Sequence, residues 1–342
     1  MQNTHGRCKT ICAAFAMLIL IIDCKTALQG AKEGISICIE SVIPALLPML
    51  IISVYLNSRL SDLNLGFLAP IAKPVGIPRG YEGILLISFL GGYPVGAQAI
   101  SQSYKHREID KHTAQHLLTF CNNAGPSFIF GVTSALFEQK AYIWGLWIIH
   151  ILSAYITGLI LSGPTIAEYK KTTTPTMHSA ISACKNAVPI LSTICVWVIF
   201  FRVIIFFLDQ WILWIFPDWV RILIIGSLEL TNGCLKLPHI ESLTIRFLLC
   251  SILLAFGGLC VLMQTISVIS PLKSRTYILG KILQASISIL LIIVIQLLSK
   301  SFGFTPSNLF LLFVSSFVII VVCSIYKKTV AKPGKMLYTV LN

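Results

Sequence analysis

The sequence predicts an all-α fold: a polytopic helical membrane protein of about ten apolar spans, arranged as two pseudo-repeats with broken helices, transporter-like in outline. Three observations carry that expectation. Hydrophobic residues make up 56% of the 342 residues and charged residues only 11%, against about 25% charged in soluble domains. Mean hydropathy is +0.85. Apolar runs of about 20 residues recur along the chain, the length a helix needs to cross a bilayer.

These numbers exclude a secreted domain, a cytosolic enzyme and a disordered chain. Strands of alternating polarity are missing, which argues against an outer-membrane barrel. Net charge is +13, from 26 Lys and Arg against 13 Asp and Glu. The basic residues sit in short loops and tails between apolar runs, as the positive-inside rule requires, so nucleic acid is not an expected partner. Of the 11 cysteines, most lie inside apolar runs (Cys12, Cys38, Cys195, Cys250, Cys260, Cys323) and no C-x-x-C occurs. They read as small buried hydrophobes, not as a disulfide or metal framework.

Along the chain, apolar spans fall at about 11–28, 35–56, 82–100, 113–136, 141–163, 186–208, 219–234, 243–269, 277–299 and 307–326. The first follows Arg7 and Lys9 like a signal peptide, but no A-x-A-type cleavage site follows it, so an uncleaved helix is expected. The polar stretch from Pro164 to Lys185 reads as a linker. The expected organisation is an N-terminal transmembrane helix (1–34), a first Gate-like repeat (35–163), the linker (164–185), a second repeat (186–300), and a final helix with a basic tail (301–342).

Four spans are interrupted. Gly91-Gly92-Tyr93-Pro94-Val95-Gly96 breaks the third, Asn122-Asn123-Ala124-Gly125-Pro126-Ser127 the fourth, Glu229-Leu230-Thr231-Asn232-Gly233 the seventh and Gly257-Gly258 the eighth. Such breaks free backbone groups that lipid cannot satisfy, so they must be buried in protein or line a cavity, away from lipid and beside one another. They also recur in order. Pro189 lies 145 residues after Pro44, Thr231-Asn232 about 138 after Tyr93-Pro94, and Gly257-Gly258 about 132 after Gly125-Pro126. Paired interrupted spans in two halves point to a secondary-transporter site. The orientation of the halves is left open. Lys327, Lys328, Lys332 and Lys335 after the last span place the C-terminus in the cytoplasm. Ten full crossings would put Arg7 and Lys9 there too, yet Lys105, Arg107 and Lys111 on the wrong side. Either a broken span is re-entrant or that loop's bias is weak.

The polar residues at the breaks are the candidate solute contacts. Asn122 and Asn123 both donate and accept hydrogen bonds. With Ser127 and the N-terminus of a half-helix they suit a polar or anionic solute, or they merely satisfy the broken backbone. Glu229 is an intramembrane carboxylate beside Thr231 and Asn232, able to bind a cation or a proton, or to pair with Arg202. Glu40 and Arg202 are weaker cases of the same kind. Gln98, Gln264 and Tyr93 serve either helix–helix hydrogen bonding or ligand contact. His112 and His116 share a helix face without supporting metal ligands, and His150 reads as a helix contact. No G-x-S-x-G, Walker A or H-E-x-x-H pattern occurs, so neither an enzyme nor a cofactor is expected.

Gly92-Tyr93-Pro94-Val95-Gly96-Ala97, Cys121-Asn122-Asn123-Ala124-Gly125-Pro126, Glu229-Leu230-Thr231-Asn232-Gly233 and Gly257-Gly258 through Gln264, in that order across residues 35–285, resemble the sporulation integral membrane proteins of the YlbJ type, in the nucleoside-recognition or Gate-domain group. The resemblance implies a multi-pass cell-membrane protein of a spore-forming bacterium, acting in spore formation. Gate domains also occur in concentrative nucleoside transporters. A dipicolinate-like or nucleoside-like solute is the implied cargo; a non-transporting scaffold for the spore envelope is the alternative. The bilayer, copies of the chain and other sporulation membrane proteins are the candidate partners. Ala124 departs from the pattern, which has Ser there.

Overall fold

In the computed structural model, residues 2–59, 65–162 and 179–302 are described. They are helical throughout, with no strand among them. α1 (Gln2–Ile22) ends at Asp23, whose side chain accepts from the Thr26 N–H at 3.1 Å and starts α2 (Cys24–Ile37). α2 continues through a π turn at Cys38–Val42, in which the Ile43 N–H donates to the Cys38 carbonyl, into α3 (Ile43–Arg59). The wider turn sits directly before Pro44, which has no N–H to give. The boundary expected at residue 34 therefore falls within one continuous helical stretch, Cys24–Asn57.

Next come the short α4 (Ala69–Ala72), then α5 (Gly83–Leu90), α6 (Val95–Lys105), α7 (Lys111–Leu118), α8 (Pro126–Gly131) and the long α9 (Lys140–Leu161). The second half has the long α10 (Ala180–Trp211), α11 (Asp218–Leu228), α12 (Leu230–Lys236), α13 (Leu243–Phe256), α14 (Gly258–Ile269) and the long α15 (Ser274–Phe302). Ser179 caps α10, accepting from the Ser182 N–H at 3.2 Å.

Among the described residues, five stretches are long and apolar enough to cross a membrane: Cys24–Asn57, Lys140–Leu161, Ala180–Trp211, Leu243–Ile269 and Ser274–Leu298. The other expected spans are accounted for individually. The run at 11–28 is cut at Asp23; the runs at 82–100, 113–136 and 219–234 are divided into short helices; and the run at 307–326, with Cys323 and the basic tail, lies outside the described residues, as does most of the 164–185 linker.

Two of the divided runs are helical hairpins. α5 and α6 pack against each other across Gly91–Pro94. α11 and α12 fold back at the single residue Glu229, with Gly226 and Gly233 so close that a Cβ on Gly233 would lie 2.3 Å from the Gly226 Cα. α7–α8 and α13–α14 are instead broken helices. The second break needs two successive left-handed residues, Gly257 and Gly258, at φ of 81° and 82°.

The long helices frame these elements. α2 lies along α10 where Gly30 and Gly34 let the backbones approach, a small-x-x-x-small contact of the kind that holds membrane helices together. The same pair carries an ion pair between Arg202 and Glu33. α9, α13 and α15 form a second packed group. At the turn from α10 to α11, Trp211, Trp214 and Trp219 are exposed, the aromatic rim that marks a membrane–water interface. Asp209 at the end of α10 accepts from Arg221 at 3.0 Å and Lys236 at 2.8 Å, tying both legs of the second hairpin at its base.

Candidate solute site at the convergence of the helix breaks

All four interruptions come together in the interior. At the first hairpin tip Gly92 has φ 73° and its carbonyl accepts from the Val95 N–H at 2.9 Å, a tight turn. That tip rests on the first broken helix: a Cβ on Gly125 would lie 2.9 Å from the Gly92 Cα. α8 opens with Pro126 in its first turn, where a missing N–H costs nothing. At the second tip the Glu229 carboxylate accepts from the Thr231 N–H (3.0 Å), the Asn232 N–H (2.7 Å) and the Asn232 Nδ2 (2.6 Å). It caps α12 from within, taking the amide groups that an anionic ligand would need.

Between the tips is a cavity of about 50 Å³, room for a few waters, since about 10–15 Å³ holds one. Its polar walls are Tyr93, Ser127, Glu229, Thr231 and Gln264; Gly92 and Gly125 complete the breaks, and Leu46, Leu50, Ile194 and Val198 close it on the side of α3 and α10. The structure thus brings five of the nine expected contact residues to one surface. Glu229, Thr231 and Gln264 are nearly inaccessible to outside solvent.

The remaining four lie outside the lining. Asn122 is fully buried, its Oδ1 accepting from the Ala97 N–H (3.3 Å) and its Nδ2 donating to Thr265 Oγ1 (2.9 Å). Asn123 Nδ2 donates to the Phe120 carbonyl at 2.6 Å, and Asn232 serves the Glu229 cap. These three amides hold broken backbone and hairpin tip together. Gln98 is half-buried on α6. Pro94, Gly96, Pro126, Gly233, Gly257 and Gly258 shape the breaks from behind the wall.

Other expectations resolve locally. Arg202 pairs with Glu33 and not with Glu229, because α2 presents Glu33 across the glycine contact. Glu40 is exposed and accepts from Ser36 at 2.6 Å. His116 Nε2 lies 2.9 Å from the Val75 carbonyl, while His112 is exposed. Among the described residues no three His, Cys, Asp or Glu cluster as metal ligands. Cys38, Cys250 and Cys260 are buried free thiols and Cys195 a half-buried one; the Cys12 side chain lies outside the described residues.

One residue read from the sequence as a helix contact serves the site, and a second escaped that reading. His150 Nε2 accepts from the Ala124 N–H at 3.1 Å, satisfying the first break from α9. Lys281 of α15 donates to Asn123 Oδ1 at 3.0 Å. The signal for Lys281 was present: it is the one charged residue in the apolar run 277–299, and intramembrane charge calls for a partner.

Compared with known proteins, 165 residues of the chain are 28% identical to the sporulation integral membrane protein YlbJ of Bacillus subtilis (strain 168), covering 45% of this chain and 38% of that protein. The chain therefore aligns with well under half the length of the curated relative it matches. No protein-family profile matches the chain, and no solved structure matches it.

Proposed function

We propose that this multi-pass membrane protein moves a small polar solute across the cell membrane in bacterial spore formation. The observation that carries the reading is the meeting of the helix interruptions at one cavity, three in its wall and the fourth directly behind it, with five polar side chains set in a mostly apolar lining. Irregular backbone at membrane depth is tolerated where it lines such a cavity, and paired interruptions mark the solute site in transporters of repeated architecture. The sporulation setting comes from the similarity to YlbJ.

The element order supports two pseudo-repeats. Long helix, hairpin, broken helix, long helix runs through 24–161 and again through 180–302. If both hairpins are re-entrant, each half crosses the membrane three times, an odd number, and the halves are inverted. That arrangement also removes the charge conflict. Lys105, Arg107 and Lys111 fall on the same side as Lys73, Arg79, Lys185, Lys273 and Arg275, which the positive-inside rule assigns to the cytoplasm. Were the apolar run at 307–326, which lies outside the described residues, one more crossing as its sequence suggests, the basic C-terminal tail would fall on that side too.

The lining refines the solute. Its one ionisable acid is Glu229, and the N-terminus of α12 is already capped by it. A neutral or cationic polar solute, nucleoside-like in size, suits this wall better than a dianion such as dipicolinate. The cavity is far smaller than the roughly 300 Å³ of a drug-sized site, so on this reading a hairpin tip moves to admit cargo.

The test is uptake of radiolabelled uridine and dipicolinate into proteoliposomes, comparing wild type with Thr231→Val and Ser127→Ala. Saturable uptake of uridine, reduced in both variants, supports the reading. Uptake of neither, from folded protein, sinks it. A non-transporting scaffold for the spore envelope is the competing reading, favoured by the burial of Asn122, Asn123 and Asn232 in hydrogen bonds to the protein itself. It requires cavity variants to sporulate as well as lipid-facing ones do.

A further inference from the structure

Lys281 is the only lysine or arginine that is buried among the described residues, at 1% exposure. Its helix is pressed onto the first break: a Cβ on the preceding Gly280 would lie 2.1 Å from the Thr119 carbonyl oxygen. Nζ donates to Asn123 Oδ1 at 3.0 Å and to Gln284 Oε1 at 2.8 Å. The rings of Tyr93 and Tyr277 lie 5.6 and 5.7 Å from it, within the range of cation–π attraction.

Both oxygens are held in place. Asn123 Nδ2 is tied to Phe120, and Gln284 Nε2 donates to the His150 carbonyl at 3.3 Å. Each amide therefore turns its oxygen toward the ammonium. Every one of these ligands is neutral. Among the described residues no carboxylate lies within the 4.0 Å of an ion pair. The ionisable groups around Nζ are Tyr93 from the first hairpin tip, Cys121 from the break, His150 from α9 and Tyr277 from its own helix. His150 is neutral in this arrangement, because a nitrogen that accepts from the Ala124 N–H carries no proton.

A charged side chain inside a membrane protein commonly pairs with an opposite charge or with backbone carbonyls, or reaches the interface. Lys281 is buried and its hydrogen bonds go to two side-chain amides. Amide oxygens and aromatic faces beside an unwound helix are groups that also receive a bound alkali cation. We infer that Lys281 is a tethered cation standing in an alkali-cation seat, and that the proton it holds is the coupling ion of the cycle. The seat stands on geometry alone; the coupling rests on the transport reading. In the implied step one ammonium N–H bond breaks, its electron pair stays on nitrogen, and the proton passes to water admitted when the tip carrying Tyr93 moves. The amine is reprotonated from water on the opposite side. Lysine suits this because it changes protonation readily when buried.

The seat is tested on the purified full chain in detergent, by thermal unfolding in sodium, potassium or choline chloride. Wild type should be indifferent to the cation. Lys281→Ala should unfold several degrees lower in choline and recover part of the loss in sodium or potassium; if it cannot be purified, Lys281→Ser takes the same comparison. A wild type stabilised by sodium, or a variant blind to both alkali cations, overturns the seat. The coupling is tested by uridine and dipicolinate uptake into proteoliposomes with and without an inward proton gradient. The gradient should raise wild-type initial rates several-fold and leave Lys281→Gln exchange unchanged. Gradient-indifferent wild type, or a gradient-driven variant, overturns the coupling. Uptake of neither solute removes the transport reading and the coupling with it, while the salt comparison still decides the seat.

Discussion

Between α5 and α6 the chain turns through Gly91–Pro94, and the turn is made by backbone; between α11 and α12 it turns through Glu229 alone, and the turn is made by a side chain. The first tip leans on its neighbour, Gly92 against Gly125. The second closes on itself, leg against leg at Gly226 and Gly233. Two hairpins thus reach one cavity with different means of closure. Shape at the first depends on conformations that glycine permits; shape at the second depends on a carboxylate with three donors.

Variants can break or sharpen that contrast. The largest effect is expected at Gly233→Leu, which drives a side chain into the facing leg; overpacking typically costs 1–3 kcal/mol and here, against backbone, about 3 or more. Thermal unfolding in detergent should show a loss of many degrees or no folded protein. Asn122→Ala leaves the Ala97 N–H and Thr265 without their partner, at about 2 kcal/mol. An equal loss from Asn232→Ala would mean that the two halves rely on amides alike. Glu229→Gln keeps the shape of the cap but turns an N–H toward amide donors, at about 1–2 kcal/mol; no change would show that the second tip needs only shape, like the first. The smallest effect belongs to Tyr93→Phe, which loses the bond from its hydroxyl to the Leu254 carbonyl, about 1 kcal/mol. Uridine uptake by that variant would separate a wall contact from a closure contact.

The interruptions were legible because Gly, Pro and Asn inside apolar runs have few structural uses. Their order along the chain is what suggests a pairing. What the sequence hid was direction. A hairpin and a broken helix differ by whether the chain folds back at the interruption; Gly, Pro and Asn mark where the runs at 82–100 and 219–234 are interrupted but not that they fold back, and in the second run the fold-back is at Glu229, a residue that carries no turn signature. The orientation of the Asn amides was hidden for a related reason: an amide beside free backbone can serve solute or chain equally well, and only three-dimensional packing decides. Lys281 does not interrupt its run, because one charge barely lowers the hydropathy of a long apolar stretch; only its isolation there marks it.

The length of α11 has a consequence for electrical behaviour. Its 11 residues rise about 16 Å at 1.5 Å each, starting beside the exposed tryptophans that mark the boundary of the bilayer. With a hydrocarbon core about 30 Å thick, the tip at Glu229 stands near half depth. A unit charge carried through the whole membrane field is worth about 2.3 kcal/mol per 100 mV. A charged ligand arriving at this tip would feel roughly half of that, about 1 kcal/mol per 100 mV. The resting voltage of the cell would then set the occupancy of the site by cations and leave that of neutral solutes alone.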